Sequence, residues 1–453
     1  MLLEYFHFTR YIKPTWYFNL KPEAGKTPYW LDYDQLEENE KQIAIYDHSF
    51  DSKGAALLDA SYQAWNRGII SHDQKKALSV DKLTEKPSLA DNYRFVRKYF
   101  NPAWSIYILM IRLITFHNPF KELPAFFRGT KTGRTNLFAP FHKHEAYASY
   151  DARILKENPS VSIILPTLNR YKYLKDALLD LGNQTIPPYE IIVIDQTDNP
   201  DKAFYDQFPQ LPLKLIFQDQ KGQWLARNRA IQQSGGAYIL MFDDDSRVDP
   251  DWTAEHLKTL EYFNADISAG VSLSTVGAAI PENYSFFRWA DQFDSGNALI
   301  KRAVFEKVGL FDRQYDGQRM GDGEFGLRAY LSGFLSISNP YGKRIHLKVS
   351  SGGLRQMGSW DGFRPKKLLA PRPIPSVLFL FRKYFGKKLA IYSLLNSVPP
   401  SIMPYKFKRS KLMLLLGAFI SIFIFPLVLF QVNKAWKLSS KMMFEGDKIE
   451  WLN

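Results

Sequence analysis

Tyr238-Ile-Leu-Met-Phe-Asp-Asp-Asp-Ser246 climbs through an apolar run into three consecutive carboxylates. The run is short, aromatic and aliphatic, and follows the Gly235-Gly236 break, which predicts a buried strand. In open α/β sheets, ligands gather beyond the carboxyl ends of the strands. Asp243, Asp244 and Asp245 are therefore expected at that edge. Adjacent carboxylates repel one another, and holding them together is costly unless a cation gathers them. Hard oxygen ligands of this kind suit Mg²⁺ or Mn²⁺ shared with substrate phosphates. Read by itself, the triplet fits equally an acidic turn leading into a helix at Asp249-Pro250.

Around this stretch, residues 158–355 alternate between strand and helix patterns. Val161–Leu165 predicts a strand that Pro166 breaks, and Tyr173–Asn183 carries helical spacing. Glu190–Asp195 and Leu213–Gln218 predict further strands, and Gly222 opens a helix reaching Gln233. Repeated βα units with short loops imply a parallel sheet covered by helices. Each strand ends in polar residues: Thr167 and Asn169, then Asp195 and Gln196, then Asp219, then the aspartates. Polar groups gathered at one sheet edge are what a nucleotide site needs.

Val161-Ser-Ile-Ile-Leu-Pro-Thr-Leu-Asn-Arg170, Ile192-Val-Ile-Asp195, Gly222-Gln-Trp-Leu-Ala-Arg-Asn228 and the triplet occur in that order. They are followed by Gly296-Asn-Ala-Leu-Ile-Lys-Arg-Ala-Val-Phe-Glu-Lys-Val-Gly-Leu-Phe-Asp312 and Gly321-Asp-Gly-Glu-Phe-Gly-Leu-Arg328. Together they resemble glycosyltransferase family 2, whose members have the GT-A fold. The resemblance implies transfer of a sugar from a nucleoside diphosphate to an acceptor hydroxyl. It implies Asp245 as metal ligand, Asp244 as holder of the ribose, and Asp243 as a support for both or a cap of the turn. Thr167 falls where the family contacts base or ribose, with Asn169 and Arg170 beside it. Where the family has two acidic residues after the second strand, this chain has Asp195 then Gln196, a departure at the position that reads the base. Arg227 is expected to face base or phosphate from its helix. Asp322 matches the general base, although a helix N-cap suits an aspartate there equally. The acidic residue usual before that base is Gly321 here. Glu324 is the second acid of the motif, and Arg328 is expected to pair with one of these carboxylates. His346 completes the metal site, touches the diphosphate or is structural. Gly352-Gly353 with Arg355 suggests a loop that closes on the donor.

Before this region, Gln35–Tyr46 and Ala55–Arg67 read as surface helices, and Lys121–Arg134 as a basic loop. Trp104-Ser-Ile-Tyr-Ile-Leu-Met-Ile-Arg-Leu-Ile-Thr-Phe116 is apolar nearly all round and too short to span a bilayer. It reads as a buried helix, with an in-plane membrane helix as the other possibility. After it, Pro365, Pro371, Pro373 and Pro375 mark a linker, and Val377–Leu389 is basic and aromatic, as an interfacial helix is. Leu412–Phe430 then runs without a charge, and about 19 residues at ~1.5 Å each reach about 28 Å, close to a bilayer core. A single span, a re-entrant segment and a core helix are all open for it. The net charge of +13 on 453 residues suggests polyanionic partners. The absence of cysteine excludes disulfides and thiol chemistry. The N-terminus shows no secretory signal.

The expected fold is α/β, a GT-A (Rossmann-like) mixed sheet flanked by helices over 158–360. A helical region precedes it over 1–157, and a linker with membrane-associated helices follows over 361–453. The expected activity is membrane-associated, metal-dependent and inverting, with Mg²⁺ or Mn²⁺ as cofactor. A nucleoside-diphosphate sugar, foremost a UDP-sugar, is the expected donor, and a glycan or lipid-linked hydroxyl the acceptor. The expected location is the cytoplasmic face of the cell membrane, with membrane lipids as partners and no nucleic acid. A processive polysaccharide synthase is one alternative. It wants a Gln-x-x-Arg-Trp motif after the base, whereas Arg288-Trp289 precedes Asp322 and Ser285 stands in the Gln place. A non-catalytic scaffold of the same fold is another, opposed by intact Asp244, Asp245 and Asp322.

Overall fold

The computed structural model describes residues 5–452 apart from 24, 26, 80–82, 84, 275–276, 292, 350–360, 366 and 408. The chain packs as two compact units, Met1–His144 with Phe385–Asn396, and Glu145–Tyr384 with Ser397–Asn453.

The first unit is built on four helices: α1 (Lys53–Asn66), α2 (Leu89–Tyr99), α3 (Ala103–Ile114) and α4 (Pro119–Thr130). α1 is not the surface helix its polar residues predict, because all but its first residue are buried. Those polar residues are answered inside. Asp59 accepts from Lys98 Nζ at 2.6 Å, from the Tyr99 hydroxyl at 2.8 Å and from Gln63 Nε2 at 2.8 Å. The helix expected over 35–46 shrinks to the single turn Glu38–Lys41, held by a capping box between Glu37 and Glu40. The basic stretch expected as a loop is largely α4. Asn118 caps it by accepting from the Phe120 N–H at 2.9 Å, and Pro119 sits where its missing N–H costs nothing. α3 is not a buried helix either: only Ser105, Ile108 and Arg112 are inside. Ile108 joins Phe8, Tyr11, Tyr93 and Val96 in this unit's core.

The second unit holds a nine-stranded sheet among the described residues, in the order β3-β2-β1-β4-β8-β6-β9-β5, with β7 paired to β9. β1 (Val161–Thr167), β2 (Glu190–Asp195), β3 (Leu213–Phe217) and β4 (Tyr238–Phe242) run parallel. The remaining strands are β5 (Ser246–Val248), β6 (Ile267–Leu273), β7 (Arg288–Trp289), β8 (Asn297–Lys301) and β9 (Ser336–His346). β8 lies antiparallel to β4, so the sheet is mixed, as expected of a GT-A-type fold. β1 is buried throughout and β4 nearly so, as strands covered on both faces must be. Pro166 does not end β1. Its ladder with β4 stops at Ile164, but its ladder with β2 continues to Thr167 opposite Asp195. A residue without an N–H is tolerated beyond the last rung to a neighbour.

Helices α5 (Tyr171–Gly182), α6 (Gln223–Gln232), α7 (Trp252–Tyr262), α8 (Arg302–Val308) and α9 (Gly321–Leu331) flank the sheet. α5 buries Leu174, Ala177, Leu178 and Leu181, the stripe that 3.6-residue periodicity puts on one face. Near the C-terminus follow α10 (Pro375–Ser397, interrupted at Gly386), α11 (Lys411–Phe423) and α12 (Phe425–Glu445). The uncharged run around 412–430 is broken between α11 and α12 by a 93° bend, with Pro426 in the first turn of α12. Among the described residues, no single helix is long and apolar enough to cross a membrane.

Candidate active site

The parallel half of the sheet delivers its polar residues to one edge. Thr167, the last residue of β1, is buried, and its hydroxyl donates to Asp244 Oδ2 at 2.8 Å. Arg170 reaches the same pair of acids, 3.0 Å from Asp244 Oδ1 and 3.2 Å from Asp245 Oδ2. Asn169 between them is exposed with φ 53°, a left-handed turn that asparagine adopts readily, and its N–H donates to Thr197 Oγ1 at 3.0 Å. Burial pushes the Asp244 carboxyl up to about 6, against the opposing pull of Arg170 and Thr167. Burial works the same way on Asp245, but the hydrogen bond with His346 and the nearby Arg170 outweigh it and hold that carboxyl below its usual range.

His346 ends β9 opposite Ser246 of β5, and that register brings its Nε2 to 3.3 Å from Asp245 Oδ1. Ligand atoms of Asp243, Asp245 and His346 all lie within 4.8 Å of one another. Carboxylate oxygens with one imidazole suit Mn²⁺ or Mg²⁺. Asp245 and His346 are the better donors, because Asp243 is already engaged on both oxygens. Arg227 Nη2 donates to its Oδ1 at 2.6 Å and Arg344 Nη1 to its Oδ2 at 2.7 Å. Arg227 is the residue expected from the sequence to face base or phosphate. It is buried and directed at Asp243, with its guanidinium carbon 5.4 Å from the Trp224 ring centroid. Asp243 acts as an anchor that fixes the strand end rather than as an open ligand.

Arg344 escaped the sequence reading. It is fully buried and also donates to both oxygens of Asp294 at 3.0 and 3.1 Å, to Ser246 Oγ at 2.9 Å and to Ser272 Oγ at 2.7 Å. Burial opposes its charge, but Asp294 and Asp243 more than compensate. The residue that makes room is Gly296, where an added Cβ would meet Asp243 Oδ2 at 2.2 Å and Arg344 Nη1 at 2.3 Å. A local sequence signal for Arg344 does not exist, since its partners lie about 50 and 100 positions away.

Asp195 faces inward. Its Oδ2 accepts from the hydroxyls of Tyr171 at 2.6 Å and Tyr205 at 2.9 Å, and its Oδ1 from the Thr197 N–H at 3.0 Å. Gln196 beside it is buried and accepts from the Gly222 N–H at 2.7 Å, tying β2 to the start of α6.

In the second half of the domain, α9 begins at Gly321, so Asp322 lies inside its first turn and is not the N-cap. Met320 holds the cap position, with φ 77°. A helix N-terminus favours a carboxylate in its first turn. Gly321 replaces the family's usual acid because the Trp224 indole fills that place: a Cβ there would meet the ring at 2.4 Å. Trp224 thereby fits α6, the second helix of the nucleotide half, against the helix that carries Asp322. Glu324, expected beside Asp322 as a second catalytic acid, is turned inward and fully buried. Arg328 Nε donates to its oxygens at 2.8 and 3.0 Å and the Tyr384 hydroxyl donates at 2.5 Å, so Glu324 secures α9 rather than facing a substrate. Arg328 pairs with a motif carboxylate, as expected. Gly352, Gly353 and Arg355 lie outside the described residues.

A parallel βαβ half ending in acids, joined to a mixed half carrying a further aspartate, is the arrangement of a GT-A-type domain. Residues 162–309 match the family model described as glycosyl transferase family 2, and the chain carries a glycosyltransferase domain of that family. Over 185 residues it is 26% identical to the uncharacterized glycosyltransferase YwdF of Bacillus subtilis (strain 168), covering 37% of this chain and 67% of that protein. It is 30% identical over 165 residues to the glycosyltransferase AglE of Haloferax volcanii, covering 34% of this chain and 53% of that protein. The chain thus matches between about half and two thirds of these relatives' length. Among solved structures it is similar to the mannosyltransferase PcManGT from Pyrobaculum calidifontis in complex with GDP-Man and Mn²⁺. That likeness has a TM-score of 0.41 at 18% identity and covers 64% of this chain and 88% of that one.

Proposed function

We propose that the protein is a membrane-associated, metal-dependent, inverting glycosyltransferase. Its donor is a nucleoside-diphosphate sugar and its acceptor a hydroxyl of a glycan or lipid-linked glycan at the cytoplasmic face of the cell membrane. The observation that carries this reading is the convergence of Thr167, Arg170, Asp244, Asp245 and His346 at the ends of β1, β4 and β9. Asp245 and His346 would hold a Mg²⁺ or Mn²⁺ ion, which would supply positive charge for the departing diphosphate. Thr167 and Arg170 fix the Asp244 carboxylate where the ribose hydroxyls would bind. Asp322 takes the acceptor proton as the acceptor oxygen attacks opposite the leaving group. One displacement needs one base, and the buried, arginine-paired Glu324 offers no second nucleophile.

Membrane attachment rests on α11 and α12. Leu412, Leu415, Phe419, Ile422 and Phe423 are exposed along α11, as are Leu429 and Phe430 on α12. A face of this kind beside Lys406, Arg409 and Lys411 suits a lipid surface.

The test is nucleoside diphosphate release by the purified full chain in detergent, across a panel of nucleotide sugars. An α-linked donor should give a β-linked product, and a retained anomeric configuration by NMR refutes single displacement. Asp322→Asn keeps the shape and removes the base. It should retain donor binding while turnover falls by about 10²-fold or more. Loss of donor binding in that variant moves Asp322 from the base role to the donor site.

A further inference from the structure

α3 is apolar on both faces, with Ile108 in the core and a second apolar face turned outward, which a helix that meets only water does not need. Its one charged residue, Arg112, is inside, while Ile106, Met110, Leu113 and Ile114 are outside. The inward charge is well answered: Arg112 Nη2 donates to Glu122 Oε1 of α4 at 2.5 Å, and the Tyr93 hydroxyl donates to Glu122 Oε2 at 3.0 Å. This buried pair joins α3 to α4 as one hairpin. α4 continues the outward apolar surface with Phe120, Leu123 and Phe127, the spacing of one helical face. At the turn between the helices Phe116 is held at φ 61°, uncommon for a bulky residue, and its side chain is 97% exposed. Phe120 is 88% exposed. A contiguous apolar surface of this extent marks an interaction site.

The far end of α4 opens into a cavity of about 560 Å³ whose charged lining is Arg94, Lys98, Arg128, Lys131 and Arg134 with one carboxylate, Asp47. Lys98 is answered by Asp47 at 2.7 Å and Asp59 at 2.6 Å, and Arg94 by Asp91 at 3.1 Å. Arg128 is answered by Asp51 at 2.6 Å. Lys131 and Arg134 line the same cavity and are exposed. From Phe120 to Arg128 the helix rises about 12 Å. That is on the order of the distance between inserted side chains and headgroup phosphates for a helix seated in an interface.

We propose that the α3–α4 hairpin inserts its Phe116–Phe120 tip into one leaflet of an anionic bilayer, and that the basic cavity takes the phosphate of a phospholipid headgroup. Charge complementarity argues for lipid: cations and apolar tip lie on one hairpin, in the pairing that interfacial attachment uses. A protein partner would seat anchor side chains in pockets of its own, whereas these phenylalanines stand almost clear of their own chain. The site lies within the helical unit, distinct from α11 and α12, and does not depend on the transferase reading.

The chain has no cysteine, so Phe116→Cys in the full-length protein gives a single labelling position for an environment-sensitive fluorophore. With vesicles of phosphatidylcholine and phosphatidylglycerol, the emission should shift to the blue and brominated acyl chains should quench it. A probe equally open to aqueous iodide with and without bound vesicles overturns the insertion. Adding Lys131→Glu and Arg134→Glu should weaken tip insertion into the anionic vesicles about tenfold and leave the weaker response to pure phosphatidylcholine unchanged. Equal insertion by both proteins overturns the headgroup site. So does inorganic phosphate binding to the cavity while vesicle insertion is insensitive to the two substitutions. A blue shift that grows with protein concentration in the absence of vesicles, with a matching rise in mass by light scattering, assigns the face to self-association and also overturns the proposal. Unchanged far-UV circular dichroism and an unchanged cooperative thermal unfolding in detergent serve as the check that the variants fold.

Discussion

The sheet and the helical unit sort polar and apolar residues in opposite ways. β1 and β4 keep mostly apolar side chains along their length and place polar groups at or beyond their ends, Thr167 and Arg170 from one and three aspartates from the other. The helical unit buries Asp59, Gln63, Asn66, Arg67 and Arg112, and leaves Phe116 and Phe120 outside. The reason is geometric. A strand covered on both faces has no room for charge except past its last rung, so the sheet concentrates carboxylates at one edge, where a ligand can complete them. A small helical unit can pair its charges side chain to side chain internally. Buried charge in the helical unit is paired internally, whereas the sheet unit pairs Asp243 and Glu324 internally and leaves Asp245 with His346 at its edge.

The sharpest way to break that contrast is at the sheet edge. Asp245→Ala removes the carboxylate that His346 faces and leaves Asp243 with its two arginines. Turnover should vanish, with a loss on the order of 10³-fold or more for charge stabilisation at the leaving group, and excess EDTA on wild type should reproduce it. The fold should survive, since thermal unfolding of this variant reports the anchor, not the ligand. Full activity of wild type in EDTA sinks the metal assignment.

The same contrast explains what could be read from the sequence. Strands of apolar residues ending in Thr167, Asp195 and Asp243 announce themselves by local pattern, and their family resemblance carries a fold with it. Within the site, Asp244, Asp245 and His346 are adjacent to recognisable motifs. Arg344 is not, because its role exists only where the folded sheet brings β9 to Asp243 and Asp294. Arg227 and Glu324 are the reverse case: residue type and motif position point at a ligand, while the folded chain turns both toward internal partners. In the helical unit, residue polarity misleads. α1 and α4 carry enough charge to resemble surface and loop, and α3 enough apolar residues to resemble core. Which face of each is covered depends on pairs such as Arg112–Glu122 that bring separate helices together.

A second prediction tests that these internal pairs are architectural. Arg112→Leu leaves Glu122 buried with only the Tyr93 hydroxyl beside it. Breaking one side of a buried ion pair costs about 3–5 kcal/mol, so the apparent melting temperature should drop. Arg112→Leu with Glu122→Leu should recover most of the loss, since two apolar residues replace two mutually compensated charges. Calorimetry of both variants decides it. A double variant as unstable as the single one shows that the pair does more than neutralise itself.

The smallest effect is expected at Gln196. Its Oε1 accepts from the Gly222 N–H at 2.7 Å, and the Gln218 amide lies 3.4 Å from the same oxygen. That contact fixes the side-chain amide, because only the oxygen can accept from a backbone N–H. The Nε2 end is left buried, with no hydrogen-bond partner among the described residues. A carboxylate at this position could accept a proton-bearing base nitrogen; the amide nitrogen can only donate, and so calls for a carbonyl or ring nitrogen on the base edge. Gln196→Glu keeps the contact to Gly222 and turns the donor into an acceptor. Binding of UDP relative to GDP and other nucleoside diphosphates should therefore shift by several-fold, about the 0.5–1.5 kcal/mol of one net hydrogen bond. Stability should change little. Titration calorimetry on wild type and variant measures the ratio directly. An unchanged ratio, with affinity for every nucleotide altered alike, places Gln196 in the support of α6 and removes it from base recognition.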